Sequence, residues 1–209
     1  MRIRAYTLDV NVGHAPCWMD DKSAGRELLT LANCKPRIRD FALEGEWIAG
    51  VTPKRMEHRL AYLMHVSEHI TRTEYWNRYK DSRFDSIYRP KMNGEWKQLK
   101  NPWHLDEESF ARDLKSDWVL LSKEFYMFAN SYSDHETGPR GLKLPEKYSA
   151  LARGGIRGAG HFIELSDSFL PWIKKQQRLK LPDFQVLRDF RNDGGGCCKE
   201  QVVRTAPCQ

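Results

Sequence analysis

From Arg2 to Val10 apolar and polar positions alternate, Ile3, Ala5 and Thr7 on one side and Arg2, Arg4 and Tyr6 on the other. A period of two predicts a strand with one wet face. The next stretch, NVGHAPCWMDDKSAGRE (11–27), contains Gly13, Pro16 and Gly25 and keeps no period, so it reads as a long loop. Leu28–Leu31 is a short apolar strand. Pro36 disfavours helix at Lys35 and steers that residue to extended geometry. Ile38, Phe41 and Leu43 precede a Glu44-Gly45-Glu46 turn in which Gly45 supplies a positive φ. Trp47–Val51 and the apolar run Leu60–Val66 follow as the arms of an antiparallel hairpin.

Further along, Thr71 or Thr73 caps a short helix over TEYWNRYK, with Tyr75, Trp76 and Tyr79 near one face. Asn93-Gly94 marks a small hairpin with arms Ile87–Pro90 and Glu95–Leu99. DEESFARDL (106–114) reads as a helix with acidic residues in its first turn, where the helix dipole favours them. Asp117–Leu121 is strongly strand-like, and Phe125–Phe128 extends it or begins the next strand. A polar loop fills 129–143, Pro145–Arg153 is a short helix, and Ser166 caps a helix that runs to about residue 177. The expected architecture is a single α+β domain over residues 1–190, with a flexible tail over 191–209. It is a mixed, strongly bent sheet or small barrel, with helices near 71–80, 106–115 and 166–177 packed outside.

Composition agrees with one soluble domain: 209 residues, 40% hydrophobic and 30% charged, with seven Trp, eight Tyr and nine Phe to fill a core. No run approaches the roughly 18 apolar residues of a membrane span, so no membrane partner is expected. MRIRAYTLDV has no apolar h-region, which argues against a signal peptide. The five cysteines (17, 34, 197, 198 and 208) are odd in number and form no CxxC, so a reducing, cytoplasmic compartment is expected. A formal net charge of +6 favours anionic partners.

Candidate chemistry concentrates in Thr30–Gly50. Lys35, Arg37 and Arg39 are donors for phosphate beside a strand that carries Trp47, the ingredients of a pocket for a phosphate-bearing aromatic ligand. Those cations lower the pKa of an exposed Cys34, which makes it the candidate nucleophile. A second candidate is the run GGIRGAGHFIEL (154–165), where glycines allow close backbone approach around Arg157 and His161. It matches neither a Walker loop nor a Rossmann fingerprint. His161 is the candidate base. Residues 81–104 interleave Arg83, Arg89, Lys91, Lys97 and Lys100 with Phe84, Tyr88, Trp96 and Trp103, the composition of a single-strand or nucleotide-binding surface or of a solvated loop with aromatic anchors. His14 and Cys17 have a ligand-like spacing but lack two further ligands, so neither a metal nor a cofactor is expected. No Ser-His-Asp or Cys-His-Asn arrangement is legible, and the carboxylates are scattered.

Tyr6, Ala15-Pro16, TLANCKPRIR (30–39), GEWIAG (45–50), LAYLMHV (60–66), Tyr75-Trp76, Arg83-Phe84 with Ile87-Tyr88, DWVLLSKEFYMF (117–128) and Gly160-His161 follow one another in a characteristic order. In this order they resemble the second of the nucleotide modification associated domain families of bacteria and their phages, over roughly residues 1–177. This sequence has Gly-Glu-Trp-Ile where the family usually has Gly-Asp-Trp-Ile, and Ala159 interrupts the family's Gly-Arg-Gly-His. The Gly-Glu-Trp turn is also similar to that of PUA, ASCH and EVE-like barrels. The resemblance implies recognition of a nucleotide or nucleic-acid base, tied to DNA modification. Lys35, Arg37 and Arg39 would hold phosphate, Trp47, Tyr88 or Trp96 would stack the base, and Arg157 and His161 would close the site. Two alternatives are a nucleotide-modifying enzyme using Cys34 and His161, and a phage sponge for a small nucleotide signal.

Overall fold

A computed structural model describes residues 1–8, 16–21, 26–83, 85–101, 104, 106–129, 141–152 and 162–179. His14, Phe84, Trp103, the glycine-rich run 154–160 and the tail with Cys197, Cys198 and Cys208 lie outside the described residues. The strands are β1 (Arg2–Thr7), β2 (Cys17–Asp21), β3 (Arg26–Leu31), β4 (Trp47–Val51), β5 (Leu60–His65), β6 (Glu68–Thr71), β7 (Tyr88–Pro90), β8 (Trp96–Gln98), β9 (Trp118–Ser122), β10 (Glu124–Met127) and β11 (Phe162–Glu164). Among the described residues, the α-helices with both ends described are α1 (Pro36–Phe41), α2 (Arg72–Tyr79), α3 (Glu107–Asp113) and α4 (Phe169–Lys174). None of them is long and apolar enough to cross a membrane.

Two sheets carry the α+β fold. One has the order β10-β5-β4-β1-β11, parallel between β1 and β4 and antiparallel elsewhere; the other has the order β2-β3-β9-β6. They are two halves of one bent ribbon. β5 pairs with β10 and, after Ser67, the chain continues as β6 paired with β9. The bend is held where Ser67 N donates to Leu121 O (2.8 Å) and Lys123 N donates to Ser67 Oγ (2.9 Å). The bent-sheet alternative is therefore the one realised. None of the sheets closes into a barrel, and β7–β8 stands apart as a two-stranded ribbon.

Three apolar layers follow from the strand alternation. Ile48, Met64, Leu29, Leu31, Leu120 and Trp18 fill the space between the two sheets. The opposite face of the first sheet (Ile3, Ala49, Leu63) is covered by Tyr148, Phe169 and Ile173. That of the second (Leu28, Val119, Leu121) is covered by Tyr75 and Tyr79 of α2. The face of β1 expected to be wet is covered beyond Arg2: Tyr6 is buried in the layer between the two sheets, and Arg4 is buried beside Glu46 and Phe162. There it makes a two-pronged pair with Glu46 (Nε–Oε2 2.7 Å), and its guanidinium carbon lies 3.9 Å from the centre of the Phe162 ring.

Three more expectations change. The loop expected over 11–27 contains β2, whose only large apolar side chain beyond Cys17 and Met19 is the buried Trp18, too short a pattern for a period to emerge. Pro36 opens α1 at its first turn, and Lys35 before it is left-handed (φ 43, ψ 52) rather than extended. Proline excludes the right-handed helical region for its predecessor, and here the chain uses the other exit. Finally, α4 starts after Ser168 rather than Ser166, with no side-chain cap. The Thr71 cap, the β4–β5 hairpin, the β7–β8 hairpin and a helix with Glu107 and Glu108 in its first turn are as the sequence predicts, and Asp106 stands before that helix as its cap.

Gly50 shows why the Gly-Glu-Trp-Ile-Ala-Gly run ends as it does. A Cβ there would fall within the Tyr62 ring and 2.7 Å from Leu8 Cδ1, and Tyr62 is fixed by the hydrogen bond between its hydroxyl and that of Tyr6. Gly45 has open space and φ +84, so only its backbone conformation needs glycine. Gly50→Ala should therefore destabilise the protein by about 2 kcal/mol or more through overpacking. Gly45→Ala should cost about 1 kcal/mol through the left-handed backbone alone. Denaturant titration of both variants checks the ranking, and equal losses would contradict it.

Candidate functional site

The chain leaves β3 at Leu31 and reverses into α1 within four residues. Cys34 (φ 55) and Lys35 (φ 43) are both left-handed, a conformation that non-glycine residues adopt only when the surroundings hold it. Three contacts hold it here. Cys34 N donates to Asp113 Oδ1 (2.7 Å), Arg39 Nε donates to Cys34 O (2.9 Å), and Ile38 N donates to Lys35 O (3.0 Å).

α3 delivers Asp113. Asp106 caps it by accepting from Ser109 N (2.6 Å), and Ser109 and Asp113, one turn apart, form its buried polar face. At the other oxygen of the carboxylate, Asp113 Oδ2 lies 2.6 Å from His104 Nδ1 and accepts the Tyr88 hydroxyl (2.7 Å). The far nitrogen, His104 Nε2, lies 3.5 Å from Cys34 Sγ. The result is a Cys34–His104–Asp113 relay, with the three residues 4%, 1% and 0% exposed. With Nδ1–H donated to Asp113, Nε2 is the ring nitrogen that faces the thiol.

Burial is the largest influence on the Asp113 carboxyl and raises its pKa. Hydrogen bonds from His104 and Tyr88 and the charge of Arg39 more than offset it, so the group sits below its usual value. Burial, with Asp113 next to it, pushes the Tyr88 phenol far up, so Tyr88 acts as a neutral donor. The Cys34, His104 and Asp113 ligand atoms also lie within 4.8 Å of one another, close enough to share a metal ion.

Of the residues singled out from sequence, Cys34, Lys35 and Arg37 stay together. Lys35 is half-buried with Nζ 5.4 Å from the centre of the Tyr6 ring, and Arg37 is exposed on α1. Arg39 is corrected from anion contact to strut. It is fully buried, and besides Cys34 O it donates to Ser116 O (3.1 Å), Trp118 O (2.7 Å) and Asp113 O (2.7 Å). Tyr88 is corrected too: its ring is packed under Phe110 and Arg72, and its hydroxyl is part of the relay. Trp47 lies on the far face of the first sheet, against His65 and Tyr126, away from Cys34. Trp96 is half-buried on β8, on the ribbon face shared with Tyr88. Arg157 and His161 lie outside the described residues.

His104 and Asp113 escape a reading by spacing because 70 and 79 residues separate them from Cys34. One signal was available. Asp113 falls four residues after Ser109, on the helix face that Phe110 and Leu114 flank, where a charge needs a partner.

Two expectations separate strut from site. Arg39→Ala removes four hydrogen bonds to main-chain carbonyls and leaves those of Cys34 and Trp118 without this donor, while Arg72 still reaches those of Asp113 and Ser116; it should destabilise the protein by about 3 kcal/mol or more, whereas Lys35→Ala and Arg37→Ala should stay within about 0.5 kcal/mol of wild type. Thermal or denaturant unfolding measures both. For Asp113 the folded pKa lies below the unfolded one. Its stabilisation is therefore complete above the ordinary carboxylate range and is lost as pH falls through the folded value. Asp113→Asn should cost about 2 kcal/mol at neutral pH, and the difference from wild type should shrink below about pH 4. A gap that persists unchanged at pH 3 would show that the charge is not what matters.

No curated protein and no solved structure matches the chain. A family's sequence model does, over residues 1–177, which span both sheets and every member of the relay. The chain belongs to the nucleotide modification associated domain 2 family.

Proposed function

We propose that the protein modifies a nucleotide or nucleic-acid base by covalent capture at Cys34. The observation that carries this reading is the alignment of Cys34 Sγ, both nitrogens of His104 and the Asp113 carboxylate in one hydrogen-bonded line. The family membership supplies the substrate class. His104 Nε2 takes the thiol proton, and Asp113 holds the resulting imidazolium. The sulfur electron pair forms a bond to an electrophilic carbon of the base, and that carbon's π pair moves to the adjoining heteroatom. The proton on His104 then neutralises that heteroatom, so charge and protons balance. Lys35 and Arg37 meet the phosphate.

A further feature supports a ligand at this turn. Asn33 Oδ1 and Ser86 Oγ are buried without a hydrogen-bond partner among the described residues. They stand at one junction, because Asn33 Nδ2 donates to Asp85 O (2.9 Å). Buried polar atoms are normally paired, and the edge of a base offers both donors and acceptors.

The test is a panel of free nucleotides and oligonucleotides, followed by mass spectrometry of both the products and the intact protein. Expected outcomes are turnover or a mass adduct that maps to Cys34, loss of both in Cys34→Ala, and a rate roughly 10²- to 10⁴-fold lower in His104→Ala. A nucleotide that binds and is released unchanged, with the same affinity for wild type, Cys34→Ala and His104→Ala, would replace catalysis with recognition alone.

A further inference from the structure

We propose that the β7–β8 ribbon is a binding arm for single-stranded nucleic acid, so that the nucleotide offered to Cys34 is part of a polymer. The arm stands apart from both sheets as a two-stranded ribbon. Residues 89–100 carry four cations (Arg89, Lys91, Lys97, Lys100) and one carboxylate, Glu95. Lys91 is neutralised by Glu95 (2.7 Å). Arg89 and Lys97 are directly opposite one another across the ribbon, both exposed and in no ion pair among the described residues. Like charges facing each other across strands are destabilising, and an isolated two-stranded ribbon has little stability to spare. Phosphates between or beside the two cations remove that repulsion.

The other face of the ribbon carries Tyr88, Pro90, Trp96 and Gln98. Trp96 is half-exposed, and its indole offers a stacking surface to an unpaired base, which the stacked bases of a duplex cannot use. That face leads to the relay. Tyr88 bonds Asp113, while Gln98 Nε2 donates to His104 O. Cations on one face and an aromatic on the other thus grip a strand along a ribbon whose root, at Tyr88 and Gln98, bonds Asp113 and His104. Strand binding is independent of the chemistry proposed above; the delivery of a nucleotide to Cys34 rests on it.

The experiment is fluorescence anisotropy with a labelled oligothymidylate of about 20 nucleotides, longer than one binding site, titrated between about 50 and 200 mM salt. A duplex of equal length and free thymidine monophosphate serve as competitors. The wild type should bind the strand more tightly than the duplex, and millimolar mononucleotide should not displace it. Arg89→Ala/Lys97→Ala should weaken binding about tenfold or more at low salt and flatten the salt slope by about 1.4, two phosphate contacts on a single strand. Its thermal midpoint should equal or exceed that of the wild type, because a repulsion is relieved. Lys100→Ala, a single exposed charge, should reduce the slope by about half as much. Cys34→Ala should bind the strand as the wild type does, which keeps failure of the arm distinct from failure of the nucleophile. Unchanged affinity and slope in the paired variant, tighter binding to the duplex, or equal competition by the mononucleotide would overturn the proposal.

Discussion

A single carboxylate, buried with no exposure, holds the centre of this molecule together. Asp113 accepts from the Cys34 amide, the Tyr88 hydroxyl and His104 through its side chain, and from Arg39 and Arg72 through its main-chain carbonyl. Those five donors come from the β3–α1 turn, β7, the segment after β8, α1 and α2, so one residue fixes elements that never pair in a sheet. Taking a charge out of water is costly by several kcal/mol, and only a full set of partners offsets it. The same requirement sets the two arginines. Burial and the nearby Arg72 charge pull the Arg39 pKa down, yet both guanidiniums aim at the Asp113 and Ser116 carbonyls at the end of α3. A helix C-terminus carries partial negative charge and favours cations. The arrangement is therefore self-consistent, but it leaves no member replaceable alone.

A second buried carboxylate shows what the same ingredients do when they serve the fold only. Asp85 accepts from Thr30 Oγ1 (2.5 Å) and Tyr75 OH (2.6 Å), and Arg83 closes that network onto Cys17 O (2.7 Å). Cys17 sits in it as a bystander. Burial, with the charge of Asp85 close by, pushes its thiol well above the usual value, so it stays protonated and inert. Cys34 differs in two respects that count chemically. It has an imidazole nitrogen at its sulfur, and it occupies a strained left-handed turn that six-residue α1 and Asp113 together enforce. Strain of that kind persists only where surrounding contacts over-determine it.

The elements that the sequence displayed best are those whose signals are local. The Thr71 cap and the Asn93-Gly94 turn each depend on residues within about a turn of one another, and the Trp47–Val51 and Leu60–His65 arms pair with the next strand along the chain. β2 stayed hidden because its apolar residues, Cys17, Trp18 and Met19, are consecutive rather than alternating and two aspartates follow them, so its pairing with β3, not its own pattern, makes it a strand. Arg39 has the sequence signature of a ligand contact because a cation in a basic run looks the same whether it points out or in. Only the positions of Asp113, Ser116 and Trp118 decide, and those lie 74 to 79 residues away. Cys34 was legible as a nucleophile and its base was not, for the same reason. The cations beside the sulfur are neighbours in sequence, whereas the imidazole is a neighbour only in the fold.

This separation gives the relay an uneven rigidity. Cys34 and Asp113 are anchored from both sides, the first by the apolar layer between the sheets and the second by α3 and two arginines. His104 is held differently. Asn101 bonds it locally, accepting from its amide (2.6 Å) and donating to its carbonyl (3.0 Å), and Gln98 at the end of β8 donates to the same carbonyl. Its imidazole therefore rides on the root of the ribbon, while thiol and carboxylate belong to the core. The 3.5 Å gap between Cys34 Sγ and His104 Nε2 is the longest link in the relay, and catalytic hydrogen bonds are often long before substrate arrives. Any ligand that repositions the ribbon acts on that link, the longer of the two that tie the imidazole to the core.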